Sequence, residues 1–422
     1  MRQTLLKYLE KTGKLSEFNL FLNLFQNVPK ANFAIIKISG ETLEYQLETI
    51  ADDIAFLARL SLFPIIIHGA GSKLNSVLEN SKKIDGIRVS PKSDIPLIKK
   101  TFDTIAKQIS TKIESFGGRA RVVEQAVFCE YLNQSVYGNV GRIVGIDVAK
   151  IDSTIADGYV PIISPIGISK NQNEVFNINA DSLTSQLTSS LGIKRLIFIT
   201  QTGGILNSEG SIIPFVNIAD RAPMRFVTHG MRLKLNEIKR YLRKNPQVQI
   251  AITSAHNLLS ELFSIGGSGT SIKNHIIKKS RSILQVDKET ITNVLNDSFG
   301  KTLIGDYFEE PINSIFYQKD YEAVAILKQI DNLPYLCKFA VSKAKQGTGL
   351  GKALWSTIVK DSKSLVWRSD AKNSINPFYY ARSDGMIKSG KWHIFWKAVP
   401  KRKIWKIAQI IAEKPESFTK PL

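Results

Sequence analysis

The sequence predicts an α/β protein of two domains, a larger one built on a mostly parallel sheet sandwiched by helices and a smaller α+β domain after it. Three observations carry this. The 422 residues exceed what a single hydrophobic core usually spans. Short β-branched runs ending in glycine alternate with helix-like stretches as far as Ala255. After a basic stretch the pattern restarts with a helix, two adjacent strand-like runs and a glycine loop.

Taken in order, the first residues, MRQTLLKYLEKTGKLSEF, interleave charges with leucines and read as an amphipathic helix rather than a signal peptide. FAIIKISG (33–40) and FPIIIHGAG (63–71) are strand-like, and the helix-like segment from Thr42 to Leu62 between them completes a βαβ unit. YVPIISPIG (159–167), RLIFITQTGG (195–204) and VQIAITSA (248–255) continue the pattern, with a helix-like stretch at 181–191. Strands that feed glycine turns at their C-terminal ends are where such sheets place ligands. The basic IKNHIIKKSRS (272–282) is read as the connection, which gives a helical leader over 1–28, a first domain over 29–283 and a second over 284–422. In the second domain KETITNVLNDSFG is helix-like, and EAVAILKQI, YLCKFAVS and SLVWRS are strand-like.

Composition excludes several classes. Hydrophobic residues make up 43% and charged residues 22%, with no apolar run near the ~18 residues of a membrane span. The two cysteines, Cys129 and Cys337, are far apart and sit in no metal-ligand spacing, so neither a disulfide framework nor a metal site is expected, and a reducing cytoplasm is. The net charge is +20, and from Ser314 onward 20 basic residues face 8 acidic ones. Such an excess can bind nucleic acid, but KRKIWK (401–406) is short and no nucleic-acid-binding signature accompanies it. It can equally steer small anionic substrates or be a solvated surface. GKT at 300–302 is not a P-loop, because the first glycine of that motif would fall at Leu295.

QGTGLG (346–351) follows a strand-like run and opens the helix-like KALWSTIVK, which aims backbone N–H groups at whatever anion sits there. An ordinary strand-to-helix turn would look similar. The loop resembles the pyrophosphate loop of the GNAT acetyltransferases, Gln/Arg-x-x-Gly-x-Gly/Ala, at Gln346, Gly349 and Gly351, and the resemblance places Gly347 and Lys352 with them on acetyl-CoA. The run from Leu365 to Trp396 is similar to the N-acetylglutamate synthase branch: a Trp-Arg-Ser strand, an Asn-x-x-Asn segment, a Tyr, a Ser-Asp-Gly turn and a Lys-Trp strand. A glutamate acceptor has two carboxylates that need cationic or amide partners, and its amine must be deprotonated to attack a thioester. Lys338, Arg368 and Asn373 suit the carboxylates, and the resemblance offers Tyr379 as hydrogen-bond donor to the departing thiolate. Asp370 departs from the pattern, standing where relatives often carry a second Arg; Trp367, Trp392 and Trp396 read as packing.

Phosphoryl transfer to a carboxylate needs charge neutralisation more than a nucleophilic side chain. IIKISGE, HGAG, DGIRV, FNINAD, ITQTGG and HGMRLK carry suitable groups, although Lys37 alone reads as a strand-end lysine, Arg88 as a surface cation and Asp181 as a helix cap. In this order they resemble the amino-acid kinase fold, specifically N-acetylglutamate kinase. That resemblance implies Lys37 and Lys234 on the transferred phosphoryl and Asp181 holding the lysines. It also implies N–H donors at Gly40 and Gly69, with Arg88, Asn177 and Gly71 around the acetylated substrate and ATP arriving with Mg²⁺. Ser39, Gln201 and His229 depart from the family's pattern. ELFSIGGSGTSI (261–272) resembles the arginine-inhibitor site of arginine-sensitive relatives, and a generic loop fits it equally. The whole is similar to bifunctional N-acetylglutamate synthase/kinases of arginine biosynthesis, which implies a homo-oligomer, a tetramer being favoured. The competing readings are a synthase whose kinase-like domain is a silent arginine sensor, and a protein-lysine acetyltransferase with an open acceptor groove.

Overall fold

Unbroken β-branched runs can be buried on both faces of a sheet, and helices must then cover them. Ile35–Ile38, Ile65–His68 and Val160–Ile163 are buried at every position. A computed structural model describes residues 14–29, 33–78, 82–84, 86–218, 235, 238–239, 241–243, 245, 248–264, 268–346 and 348–419. The chain forms two compact units, residues 1–214 with 222–272, and residues 215–221 with 273–422.

In the first unit the sheet runs from Thr270–Lys273, where the chain leaves the unit, through Gln249–Thr253, Arg195–Ile199, Ile35–Ile38, Ile65–His68 and Val160–Ile163 to Ala120–Val122. Neighbours are parallel except the first pair. Gly40–Arg59 starts at Ser39, whose Oγ accepts the Thr42 N–H at 3.2 Å. Ser39 therefore serves as a helix N-cap. This helix buries Leu43, Ile50, Ile54 and Leu57, and Ile95–Ser115 buries Ile98, Phe102, Ile105, Ile109 and Ile113. A second sheet, in the order Val175–Asn177, Ile166–Ile168, Val127–Tyr131, Gly141–Ile146, has no counterpart in the glycine-punctuated pattern. The leader is helical over Lys14–Gln26 and belongs to this unit: Phe18 and Phe25 meet Phe263 at 4.6 and 5.5 Å, and Phe25 meets Phe33 at 5.2 Å.

The second unit holds a seven-stranded sheet, Ile277–Ser280, Ser314–Gln318, Ala323–Ile330, Leu333–Val341, Leu365–Asp370, Trp392–Lys397, Gly385–Ser389. All its pairs are antiparallel except Leu333–Val341 with Leu365–Asp370, whose crossover is the helix Leu350–Asp361. That parallel pairing covers only Tyr335 with Val366 and Leu336 with Trp367, so the strands part beyond it. Trp355, Trp367, Phe378, Tyr379 and Phe395 form the core on one face, and Tyr335, Val366, Ile394, Ile407 and Ile411 pack on the other.

The sequence reading placed the domain boundary at 283/284, whereas the units divide between Ile272 and Lys273. The basic stretch is not a linker because Ile277–Ser280 pairs with Ser314–Gln318 as an edge strand of the second unit. Lys278 is exposed there, where lysines protect a strand edge from further pairing, and Lys279 pairs with Asp361 at 2.7 Å. Among the described residues no helix is long and apolar enough to cross a membrane.

His68, at the end of a fully buried strand, hydrogen bonds through Nε2 to Ser164 Oγ at 3.0 Å, and burial pushes its pKa down to about 4 from 6.5. The unfolded chain then binds the proton more readily than the folded one. Stability from this group is complete above about pH 6.5 and lost as pH falls toward 4, by on the order of 3 kcal/mol. Thermal melting between pH 7 and 5 should show this fall, and His68→Gln should flatten it.

Candidate active sites

Parallel pairing brings the C-terminal ends of Ile35–Ile38 and Ile65–His68 level, with Ile38 opposite His68. The turns that follow touch. Gly69 N–H donates to Ile38 O at 2.9 Å, and a Cβ on Gly40 would lie 2.0 Å from Gly71 N. Gly71 has φ +54 and backs onto Gly40 and Glu41. Three of the predicted glycines therefore meet at one edge because no side chain fits between them. A shallow cleft lined by Gly40, Gly69, Ala70 and Lys73 opens there.

Lys37 is buried on the same strand and pairs with Asp181 at 3.0 Å, the carboxylate coming from the first turn of Ala180–Ser190. Asn179 caps that helix by accepting the Asp181 and Ser182 amides, so Asp181 is freed from capping, which is the role its position alone suggested. Arg88 donates to Asn75 Oδ1, and burial lowers its pKa. Asn177 Nδ2 donates to Ser90 Oγ at 2.9 Å, and Ser90 Oγ donates to Arg88 O at 3.2 Å. Fully buried Ser90 thus ties the two predicted substrate contacts together; nothing in the sequence singled it out. Lys234 and His229 lie outside the described residues.

In the second unit Gly349 has φ +84 and caps Leu350–Asp361, whose first intrahelical bond in this loop is Ala353 N–H to Gly349 O at 3.1 Å. Amides ahead of it belong to the first turn, where N–H groups have no acceptor within the helix. A Cβ on Gly351 would meet Val341 and Phe339 only at ordinary contact, 3.5 Å or more, so packing does not demand glycine there. Gln346 Nε2 donates to Val341 O at 3.4 Å; Gly347 lies outside the described residues, and Lys352 sits in the first turn. His275, which the sequence reading passed over, hydrogen bonds the Thr348 backbone and exchanges hydrogen bonds with Asn217.

Tyr379 sits in the aromatic core, its ring 5.6 Å from both Trp367 and Phe395, and burial holds its hydroxyl well above the usual phenol range, hence protonated. Near the parting strands, the buried atoms Ser369 Oγ and Asn376 Oδ1 have no hydrogen-bond partner, which suits a polar ligand. Lys338 follows a bulge: Ile326 pairs with Lys338 and Leu327 with Leu336, so Cys337 is unopposed. The extra residue turns Lys338 away from the tryptophan-rich core and toward Tyr307 and Phe418, 4.9 and 4.3 Å from its ammonium. Burial pushes its pKa down to about 8.

Two residues expected to bind carboxylate make bonds within the protein. Arg368, read as a carboxylate partner, donates from Nη1 to Ile411 O and Lys414 O at 2.8 and 2.7 Å and from Nη2 to Pro415 O at 2.9 Å, and lies over Trp392. These carbonyls close a helix end, and they occupy three of the five guanidinium N–H donors. Asn373 Oδ1 accepts the Ile375 N–H in a local turn at 3.2 Å.

Residues 32–254 match the amino acid kinase family, and residues 276–415 match the N-acetyltransferase domain of N-acetylglutamate synthase. The chain belongs to the amino acid kinase family. An acetylglutamate kinase of Xylella fastidiosa is 33% identical over 395 residues, 91% of this chain and 94% of that protein. Human mitochondrial N-acetylglutamate synthase is 30% identical over 411 residues, 92% of this chain and 73% of that one. In fold, the chain is similar to N-acetylglutamate synthase from Neisseria gonorrhoeae complexed with coenzyme A and N-acetyl-glutamate, with a TM-score of 0.61 and 18% identity over 92% of this chain and 98% of that one. The family kinase core is therefore joined here to an acetyltransferase domain, and the second match begins inside the basic edge-strand stretch.

The glycine contact makes a sharp expectation. Gly40→Ala should lower stability by about 2–3 kcal/mol, as overpacked sites do. Gly305→Ala, where a Cβ meets nothing, should stay within about 0.5 kcal/mol. Urea denaturation of the two variants beside wild type measures both.

Proposed function

We propose that the second unit transfers acetyl from acetyl-CoA to the amine of glutamate and that the first phosphorylates the side-chain carboxylate of the N-acetylglutamate so formed, using ATP. The Lys37–Asp181 ion pair at 3.0 Å carries the kinase half: a buried ammonium is fixed where parallel strands end, beside the glycine turns. Lys37 and Lys234 neutralise the moving phosphoryl, Asp181 holds Lys37 in place, and the Gly40 and Gly69 amides line its path. Arg88 and Asn177, joined through Ser90, grip the acetylated substrate beside Gly71. Mg²⁺ travels on the ATP phosphates, which needs no dedicated protein cage.

In the synthase half the first turn after Gly349 receives the CoA pyrophosphate, with Gln346, Gly347, Gly351 and Lys352 around it. The glutamate amine, once deprotonated, attacks the thioester carbon; the C–S bond breaks, and Tyr379 donates to the departing sulfur. Lys338 takes an acceptor carboxylate. The same reading makes the protein a cytoplasmic homo-oligomer, a tetramer being favoured, with arginine as an inhibitor at 261–272. There Glu261 already accepts the Ser268 and Gly269 amides at 2.8 and 3.1 Å. Of the three departures behind the silent-kinase alternative, Ser39 serves as a helix cap, and His229 lies outside the described residues.

Hydroxylamine trapping of acyl phosphate from ATP and N-acetylglutamate should succeed with wild type and fall at least ~10²-fold in Lys37→Met. Glutamate-dependent CoA release should fall ~10²-fold in kcat for Tyr379→Phe. A wild type that releases CoA yet forms no acyl phosphate would remove the kinase half of the proposal.

A further inference from the structure

The segment that follows the last helix is fastened at many points around Lys338. Lys401–Glu413 ends before Pro415, and its last carbonyls have no donors within the helix. Arg368 supplies them, placing a positive charge at the negative end of the helix dipole. Further along, Lys391 pairs with Glu416, Ile304 N–H donates to Ser417 O at 3.2 Å and Thr419 N–H donates to Thr302 O at 2.8 Å. Leu303 bridges Phe418 in antiparallel register, and the Phe418 ring lies 4.6 Å from Phe299. Held this way, Ser417 Oγ accepts a hydrogen bond from the Lys338 ammonium, and Phe418 faces the same cation.

We infer that Pro415–Thr419 is a working part of the acetyltransferase's acceptor site, with Ser417 as the positioning residue that orients Lys338 and Arg368 acting through the segment it anchors. The inference rests on the reading that Lys338 binds an acceptor carboxylate. A lysine ammonium is a point charge with three donors on a flexible four-carbon stem, so it specifies a carboxylate only when something fixes its direction. Ser417 takes one donor and the rings of Phe418 and Tyr307 bound the cation, which leaves the other donors aimed at the ligand. The segment touches Lys338, and among the described residues no hydrogen bond or ion pair joins it to the glycine loop, so its loss should be felt by glutamate and not by acetyl-CoA.

Initial rates of CoA release by the full chain, with glutamate and acetyl-CoA varied separately, test this. Ser417→Ala should raise the KM for glutamate about 5–10-fold, the size of one lost hydrogen bond. It should leave kcat and the KM for acetyl-CoA within about twofold, and Ser417→Thr, which keeps the hydroxyl, should restore glutamate binding. Arg368→Lys should raise the same KM. If Lys338→Met leaves the KM for glutamate unchanged, the reading of the acceptor site fails and the inference with it. If Lys338→Met raises it while Ser417→Ala does not, the inference alone is overturned. A Ser417→Ala that raises both KM values together with a lower Tm assigns the residue a structural role and equally overturns it.

Discussion

Parallel pairing of neighbouring strands is the constraint on which both units depend. Parallel strands finish on the same edge of a sheet, and the chain must return to the other edge through a crossover, here helical. Strand C-termini and helix N-termini therefore collect together, and with them the backbone amides that have no partner inside a helix. In the first unit this gathers the turns after Ile38 and His68 and the helix starts at Gly40, Gly71 and Ala180. In the second, the one parallel pair among the described residues is Leu333–Val341 with Leu365–Asp370, and its crossover helix opens at Gly349. The same geometry, built twice from different sequences, offers a phosphate-binding edge in each unit.

What the sequence made legible is what local pattern controls. The isoleucine-rich strands and their glycine turns are local, and they appear where expected. The Lys37–Asp181 pair joins residues remote in sequence, so only their order among other motifs pointed to it. Three features escaped because each depends on what lies opposite. Lysines at 278 and 279 look like a linker until Ser314–Gln318 is seen beside them. The bulge at Cys337 leaves no trace in composition, yet it decides which face Lys338 occupies. Arg368 was recognised as a functional cation, but its partners are carbonyls from residues 411–415, which no motif near it could announce.

The buried lysines show how the chain manages its positive charge. Burying an ammonium is costly unless it is paired. Lys37 has Asp181, and Lys328 has Glu310 at 2.7 Å with the Tyr307 carbonyl at 3.1 Å. Lys338 is different. Among the described residues no carboxylate lies within ion-pair distance of it, and its partners are a hydroxyl and aromatic faces. Burial accordingly pulls its pKa to about 8.

Burial without a counter-ion weakens a cation's hold on its proton, and a carboxylate brought beside it relieves that directly. A hydroxyl and aromatic faces carry no negative charge, so an anion brought to Lys338 meets a cation that no carboxylate among the described residues already neutralises. Ser417 and Phe418 border the ammonium from the C-terminal segment, on the side of the sheet turned away from the aromatic core around Tyr379. Under the proposed function, the acceptor carboxylate is the counter-ion that the fold itself does not supply to Lys338.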